Sequence, residues 1–357
     1  MTTLYVIEQG AQLHKESRRL CVRKDGRLFQ EIPLFKVDQV VLFGNIGLTT
    51  PALKALLASS IDVVFLNQDG RYRGRLVGET PPHVALRMLQ YQRAANPADV
   101  VRLARCIVAG KIENMYLSLQ RWSRIRPEAN ISPALERLRA GLPAVSSASD
   151  VPALLGIEGS TSGQYMFALG QLLTNPDFSF CRRVRRPPTD PVNALLSFGY
   201  VILTRRMESV VQSVGLDPYL GFLHGVAYNR PSLALDLIEE FRSVIVDSVV
   251  LRCINNRLLT LEHFQDHPPA GGDDEDEAES PAPAGQAKDQ PGTVQPIWLT
   301  EEGKTIFLRE LERRFREEVQ HPLTGERTTY LRVMELQARE MARCLREGDD
   351  YRPFVRR

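Results

Sequence analysis

The sequence predicts an α+β protein, a small N-terminal β-sheet domain followed by a larger all-α domain. Two observations carry this. The first 80 residues hold short β-branched and aromatic runs separated by turn dipeptides, and beyond about residue 98 the apolar residues recur at helical spacing. A third observation interrupts the second: residues 266–296 carry neither pattern.

The strand candidates, in order, are Leu4–Ile7, Leu20–Val22, Leu28–Phe29, Val40–Phe43 and Ile61–Leu66. Asp25-Gly26 and Asp69-Gly70 lie between runs, where hairpin turns need positive φ. One helix is expected among them, with Thr50 as N-cap, Pro51 in the first position, and Ala52, Leu53, Leu56 and Leu57 on one face. Gly74 through Pro82 reads as a linker, which gives a β domain over 1–80 and a helical domain over 81–357. In the latter, residues 98–122 carry Val100, Val101, Leu103, Ala104, Ile107, Val108, Ile112 and Met115 as a buried stripe. Similar stripes run through 148–173, 190–214, 233–256, 300–319 and 326–347. Residues of about 266–296 are rich in Pro, Gly and acids, with no large apolar residue before Val294. Such a segment cannot bury enough surface to offset its ordering entropy, so a disordered acidic insertion is expected.

A chain of 357 residues suggests two domains, and 43% hydrophobic with 25% charged residues excludes wholesale disorder, collagen and a disulfide mini-protein. No run approaches the roughly 18 apolar residues of a membrane helix. The start, MTTLYVIEQG, lacks the basic and apolar regions of a secretory signal. Cys21, Cys106, Cys181, Cys253 and Cys344 are scattered and form no CxxC pair, which argues against a disulfide framework, a zinc ribbon and an iron–sulfur cluster. A reducing, cytoplasmic location is expected. The net charge of +2 hides an asymmetry: residues 266–290 hold eight acids and one base, leaving +9 on the rest of the chain. That body is compatible with a polyanionic partner.

Three places hold residues that suit chemistry. His224 lies between Leu220-Gly221-Phe222-Leu223 and Gly225. Downstream, Pro231 suits a helix start and Asn229 or Ser232 suits its cap. On that helix Asp236 and Glu239 are i, i+3 neighbours in an otherwise apolar stretch. Carboxylates there are paired, hold a cation, or complement the helix dipole. Glu158, in Leu154-Leu155-Gly156-Ile157-Glu158-Gly159-Ser160-Thr161-Ser162-Gly163, is one acid among small residues. It suits either a ligand approached closely by backbone or a capping carboxylate near a helix start.

These segments, with Asp190-Pro191-Val192-Asn193-Ala194-Leu195-Leu196-Ser197-Phe198-Gly199-Tyr200 and Ser232-Leu233-Ala234-Leu235-Asp236-Leu237-Ile238-Glu239-Glu240-Phe241-Arg242, resemble the CRISPR-associated integrase family in order and spacing. This is the larger of the two universal spacer-acquisition proteins. In the β region, Ile32-Pro33-Leu34, Val37 through Asn45, and Ile61 through Leu66 with Gly70-Arg71-Tyr72-Arg73-Gly74 resemble its N-terminal sheet domain. The resemblance covers residues 1–255 well and 296–354 more loosely. It implies one Mg²⁺ or Mn²⁺ held by Glu158, His224 and Glu239, with Asp236 as a nearby support. The family often has Asp at the last position, so Glu239 is one methylene longer here, and which of Asp236 and Glu239 approaches the metal more closely stays open. The acidic insertion is not part of the family pattern.

The implied activity is a metal-dependent DNA integrase and endonuclease that inserts short foreign DNA into a CRISPR array by transesterification. The implied assembly is a homodimer joined through the β domains. Two such dimers flank a dimer of a small ferredoxin-like adaptation protein in a heterohexamer on double-stranded DNA, with no membrane partner. A stand-alone nuclease or resolvase of branched DNA, and a non-catalytic DNA-binding scaffold, are the rival readings. For DNA binding the candidates are Arg182, Arg183, Arg185 and Arg186, in a run of four arginines, with Arg205, Arg206, Arg230 and Arg242. A solvated loop is the alternative for the run. Tyr165, Tyr219 and Tyr228 are candidates for stacking on DNA ends, or for core packing.

Overall fold

Short β-branched runs form two four-stranded sheets at the N-terminus. The structure, a computed structural model, describes residues 2–79, 83–185, 187–268, 295–322 and 324–356. Strands β1 (Thr2–Val6), β2 (Gln12–Glu16), β3 (Arg19–Lys24), β4 (Arg27–Pro33), β5 (Val37–Phe43) and β6 (Gly47–Leu48) precede helix α1 (Thr50–Ala58), then β7 (Asp62–Leu66) and β8 (Tyr72–Leu76). One sheet has the order β1-β5-β7-β8 and the other β4-β3-β2-β6. The β3–β4 hairpin turns at Asp25 (φ 49°) and Gly26 (φ 76°), the left-handed pair its Asp-Gly dipeptide favours. Leu4, Val6, Leu13, Leu20, Val22, Val40, Leu42, Leu56 and Val63 form the core of this unit. The helix α1 has Thr49, not Thr50, at the N-cap position.

Helical periodicity then takes over in α2 (Val84–Ala94), α3 (Pro97–Ile125), α4 (Ser132–Ser147), α5 (Val151–Gln171), α6 (Pro191–Val214), α7 (Ser232–Arg242) and α8 (Ser248–Asn255). The starts follow from sequence chemistry. Asn96, Asp150 and Asp190 each accept a backbone N–H two or three residues on, and a proline sits in the first turn of α3, α5 and α6. Helix α4 buries Ala134, Leu138, Gly141 and Val145 along one face, a stripe of mostly small residues that the sequence reading passes over. Between α7 and α8 a π-helical turn, Ser243–Asp247, is buried throughout. After it come β9 (Phe264–Gln265), β10 (Trp298–Leu299), α9 (Glu301–Phe315), β11 (Glu318–Gln320), β12 (Arg327–Thr329) and α10 (Tyr330–Glu347). The β11–β12 hairpin takes up the end of one expected helical stripe, at 319, and the start of the next, at 326. Strands of three residues are too short to establish a period of two.

The chain divides into two units, Met1–Thr80 with Glu262–Thr305, and Pro81–Leu261 with Ile306–Arg357. This corrects the assignment of everything after residue 80 to the helical domain. Residues around β9 and β10 belong with the β unit, where Lys304 donates its ammonium to the Gln68 carbonyl. The expected acidic insertion falls largely on residues 269–294, which lie outside the described residues.

Within the helical unit, α3 is the central strut. Asn114, fully buried on it, donates to the Glu240 carbonyl at 2.8 Å and the Phe354 carbonyl at 2.7 Å. Phe354 stacks on Phe241 with ring centroids 5.7 Å apart. The end of the chain therefore packs on α3 and α7, two of the helices that carry the site.

Candidate metal centre

Glu158 lies two turns into α5, not at its start. Asp150 takes the capping role, accepting the Ala153 N–H at 2.8 Å, so the capping alternative for Glu158 falls away. Around Glu158, Gly156, Gly159 and Gly163 leave one face of α5 open. Ser162 Oγ donates to Glu158 Oε1 at 2.9 Å.

His224 sits in the loop before α7, and Asp236 on α7 holds that loop in place. The Asp236 carboxylate accepts the backbone N–H groups of Phe222 (2.6 Å), Leu223 (3.0 Å) and His224 (2.9 Å). Its Oδ1 also lies 2.7 Å from His224 Nδ1. A carboxylate accepting from Nδ1–H fixes the tautomer that carries its lone pair on Nε2. The loop comes this close because residue 221 is glycine: a Cβ there would stand 2.7 Å from Asp236 Oδ2. Asp236 is thus committed to the loop and the imidazole, and the dipole-complement reading does not describe it. Glu239, one turn on, is the acid that faces His224 Nε2, at 3.9 Å.

Glu239 is almost wholly buried between cations. Arg242 Nη2 lies 3.1 Å from its Oε1, and Lys111 Nζ, from the middle of α3, lies 2.7 Å from its Oε2. The same Lys111 ammonium pairs with Glu158 Oε1. Burial works to raise the Glu239 carboxyl, but the charges of Arg242 and Lys111 outweigh it and bring the pKa down to about 2. Burial likewise opposes ionisation of Glu158, and there the Lys111 charge prevails, leaving its pKa below the ordinary value. Arg242 is itself fixed, its guanidinium 4.7 Å from the centroid of the Tyr200 ring.

The donor set suits a hard divalent cation: two carboxylates and one imidazole nitrogen. Glu239 Oε2 adds a second sign, being buried without a hydrogen bond of good geometry despite its nearness to Lys111. As they stand, no three His, Cys, Asp or Glu side chains among the described residues are gathered tightly enough to clasp an ion. The Lys111 ammonium lies between the two carboxylates instead. Lys111 is the residue that sequence reasoning misses. Its signal is present: it falls among Ile107, Val108, Ile112 and Met115 on the buried stripe of α3, where a charge needs a partner.

The expected DNA contacts divide. Arg182 and Arg185 are exposed, and Arg186 lies outside the described residues. Arg183 is corrected to a structural role, donating to the Val184 carbonyl, Asn193 Oδ1 and Ser197 Oγ at 2.6–2.8 Å. Arg206 is buried, Arg205 pairs with Glu208 at 2.7 Å, and Arg242 is held by Glu239, so none of the three is placed to grip a duplex. Arg230 bonds to the Gly225 carbonyl and bridges the His224 loop. Tyr165 is corrected too: it is 2% exposed, and its hydroxyl donates to Asp247 at 2.9 Å. Tyr219 is half-exposed, and Tyr228, in the His224 loop, is 86% exposed.

Comparison with known proteins identifies the family. The family described as CRISPR associated protein Cas1 matches residues 4–272. A Thermus thermophilus protein named CRISPR-associated endonuclease Cas1 3 is 37% identical over 355 residues, covering 99% of this chain and 96% of its own. A Cas1 protein from Thermotoga maritima has the same fold, with a TM-score of 0.76 at 24% identity and 98% of each chain covered. A much longer chain in a Cas6-RT-Cas1–Cas2 complex aligns at 25% identity and a TM-score of 0.76, over 99% of this chain and 36% of that one. No helix among the described residues is long and apolar enough to cross a membrane. A match over most of the chain, with Glu158, His224 and Glu239 on the segments that carry the resemblance, makes this chain a member of the CRISPR-associated Cas1 family.

Proposed function

We propose that this chain is a divalent-cation-dependent DNA integrase and endonuclease that inserts short foreign DNA into a CRISPR array. The observation that carries the reading is that Glu158 and Glu239, from two helices, share the Lys111 ammonium, while Glu239 also faces His224 Nε2 at 3.9 Å. Bound there, Mg²⁺ or Mn²⁺ supplies Lewis-acid charge at a phosphoryl oxygen and lowers the pKa of an attacking oxygen. Glu158 and Glu239 offer anionic oxygens to it and His224 its Nε2 lone pair. Asp236 keeps the imidazole in the tautomer that allows this. In the joining step the 3′-hydroxyl of the incoming strand attacks a phosphodiester of the repeat. One P–O bond forms as another breaks, so no ATP is needed. Exposed Arg182 and Arg185 suit phosphate contact, and exposed Tyr228 suits stacking on a base beside the reacting phosphate.

The place of the longer similar chain in a Cas6-RT-Cas1–Cas2 complex supports a protein partner; the small ferredoxin-like adaptation protein and the heterohexamer follow from the family resemblance alone. Exposed Phe29 and Phe35 on the β unit support a homodimer joined there. The site of action is the cytoplasm, where the array resides. The relatives' name, endonuclease, favours one second reading, a nuclease that cuts branched DNA without joining it.

The test is a strand-transfer assay. Purified protein and partner are given Mn²⁺, a short labelled duplex with free 3′-hydroxyls, and a plasmid bearing a repeat array. Label joined to the plasmid is expected from the parent protein, and none from Glu158→Gln, His224→Ala or Glu239→Gln. Plasmid that is only nicked would move the assignment to the nuclease.

A further inference from the structure

We propose that Lys111 is a displaceable internal counter-ion, which holds Glu158 and Glu239 together in the metal-free protein and competes with the divalent cation for the same two carboxylates. This rests on the metal site proposed above and names a residue that controls it.

Lys111 points inward from the middle of α3, its side chain 8% exposed. A buried ammonium needs anionic partners, and its partners are Glu158 and Glu239 together. Their carboxylates, 20% and 4% exposed, would repel one another across so short a gap without a cation between them. Arg242 offsets part of the Glu239 charge from the Oε1 side, and only Lys111 spans both acids among the ion pairs of the described residues.

Three features make Lys111, and not Arg242, the cation that moves. Arg242 is stacked on Tyr200 and clamped three residues from Glu239 on the same helix. Lys111 has a flexible four-carbon stem and a point charge free to rotate off. Its contact with Glu239 Oε2 lacks good hydrogen-bond geometry, so the one directional bond to these acids that it gives up on leaving is the one to Glu158 Oε1. A divalent ion binds carboxylate oxygens at about 2.1 Å, tighter than the 2.7 Å between Lys111 Nζ and Glu239 Oε2. The ion and the ammonium cannot both lie between these oxygens. Lys111 therefore pre-arranges the carboxylates and sets how much free metal is needed to load the site.

The experiment is a Mn²⁺ titration of the full chain, followed by loss of the free-ion electron paramagnetic resonance signal. Lys111→Met, which keeps length and removes charge, is expected to bind Mn²⁺ about tenfold more tightly than the parent. It should also melt lower without metal and show a larger Mn²⁺-induced rise in melting temperature. Equal or weaker Mn²⁺ binding by Lys111→Met overturns the proposal. Should that variant fail to fold, reductive methylation of Lys111 in the parent, read by mass spectrometry, decides the matter. Faster labelling with Mn²⁺ supports displacement, and labelling unchanged at saturating Mn²⁺ overturns it. The metal site itself is judged separately: a parent protein whose Mn²⁺ binding equals that of Glu158→Gln would sink the metal reading, whatever Lys111→Met does.

Discussion

Asp236 Oδ1 accepts both the backbone N–H of His224, at 2.9 Å, and its ring Nδ1–H, at 2.7 Å. One oxygen thus sets the position of the His224 main chain and the orientation of its imidazole. The other, Oδ2, ties down Phe222 and Leu223. The i, i+3 pair Asp236 and Glu239 therefore divides the work on α7, one acid building the loop and the other facing the site.

Removing Asp236 should damage folding and metal binding to different degrees in different variants. Asp236→Ala leaves the buried N–H groups of Phe222 and Leu223 without a partner, at about 1–3 kcal/mol each, and the half-buried one of His224 as well, so a large fall in melting temperature is expected. Asp236→Asn retains one oxygen acceptor and most of the shape. It is expected to stay folded while Mn²⁺ affinity drops about 10–100-fold, because the imidazole loses its anionic partner. Scanning calorimetry and a Mn²⁺ titration check the two parts. Asparagine binding Mn²⁺ as the parent does would show that Asp236 does not orient His224.

The arginines should separate into surface and interior by two readouts. Arg182→Ala with Arg185→Ala should flatten the salt dependence of duplex binding, by about 0.9 in slope for each phosphate no longer neutralised, and leave the melting temperature unchanged. Arg242→Met should do the reverse. It strands the buried Glu239 charge on one side, a loss on the order of 3 kcal/mol, and touches no duplex. A salt slope that falls for Arg242→Met would return that residue to the DNA surface.

Much of this is legible in the sequence, and the gaps have physical causes. The β-branched runs, Asp25-Gly26 and the capped starts at Asn96, Asp150 and Asp190 are local signals, and they mark the elements well. Two-residue strands such as Phe264–Gln265 are fixed by their partners and have no period to read. Glu158, His224 and Glu239 stand out because acids and histidine among apolar or small residues need a reason. Lys111 is hidden by the opposite habit, since a single lysine in a helix is assumed to reach water. Arg183, Arg206 and Arg242 escape correct assignment because a run of charge says nothing of which side chains turn inward. Arg183 turns in because Asn193 and Ser197 on α6 offer it acceptors.

Gly110 should be intolerant of the smallest side chain. It precedes Lys111 on α3, and a Cβ there would lie 2.4 Å from Pro353 Cβ. Alanine favours a helix over glycine by about 1 kcal/mol, yet a rigid proline ring cannot yield by the distance needed. Overpacking of this kind costs about 1–3 kcal/mol, so Gly110→Ala is expected to be destabilising overall. Hydrogen exchange should also speed up at Phe354, whose N–H donates to Glu240 at 2.8 Å. A variant as stable as the parent would mean that the chain end shifts freely on α3.

The last prediction concerns pH. Asp247, at the end of the π-helical turn, accepts the Tyr200 hydroxyl at 2.6 Å and the Tyr165 hydroxyl at 2.9 Å. Burial raises its carboxyl from 3.8 to about 6, against the opposing pull of the Tyr200 and Tyr165 hydrogen bonds and the Arg242 charge. A folded pKa above the unfolded one means that the native state holds the proton more firmly. The resulting stability is complete below about pH 4 and is lost as pH rises through about 6. The shift corresponds to about 3 kcal/mol between those limits. Asp247→Asn stays neutral at every pH and keeps an oxygen acceptor. Denaturant unfolding at a series of pH values should therefore show the stability difference, variant minus parent, rising between about pH 4 and 7 and flat above that. A difference that stays constant across that range would mean that Asp247 is ionised in the native protein, with the two tyrosines and Arg242 outweighing its burial.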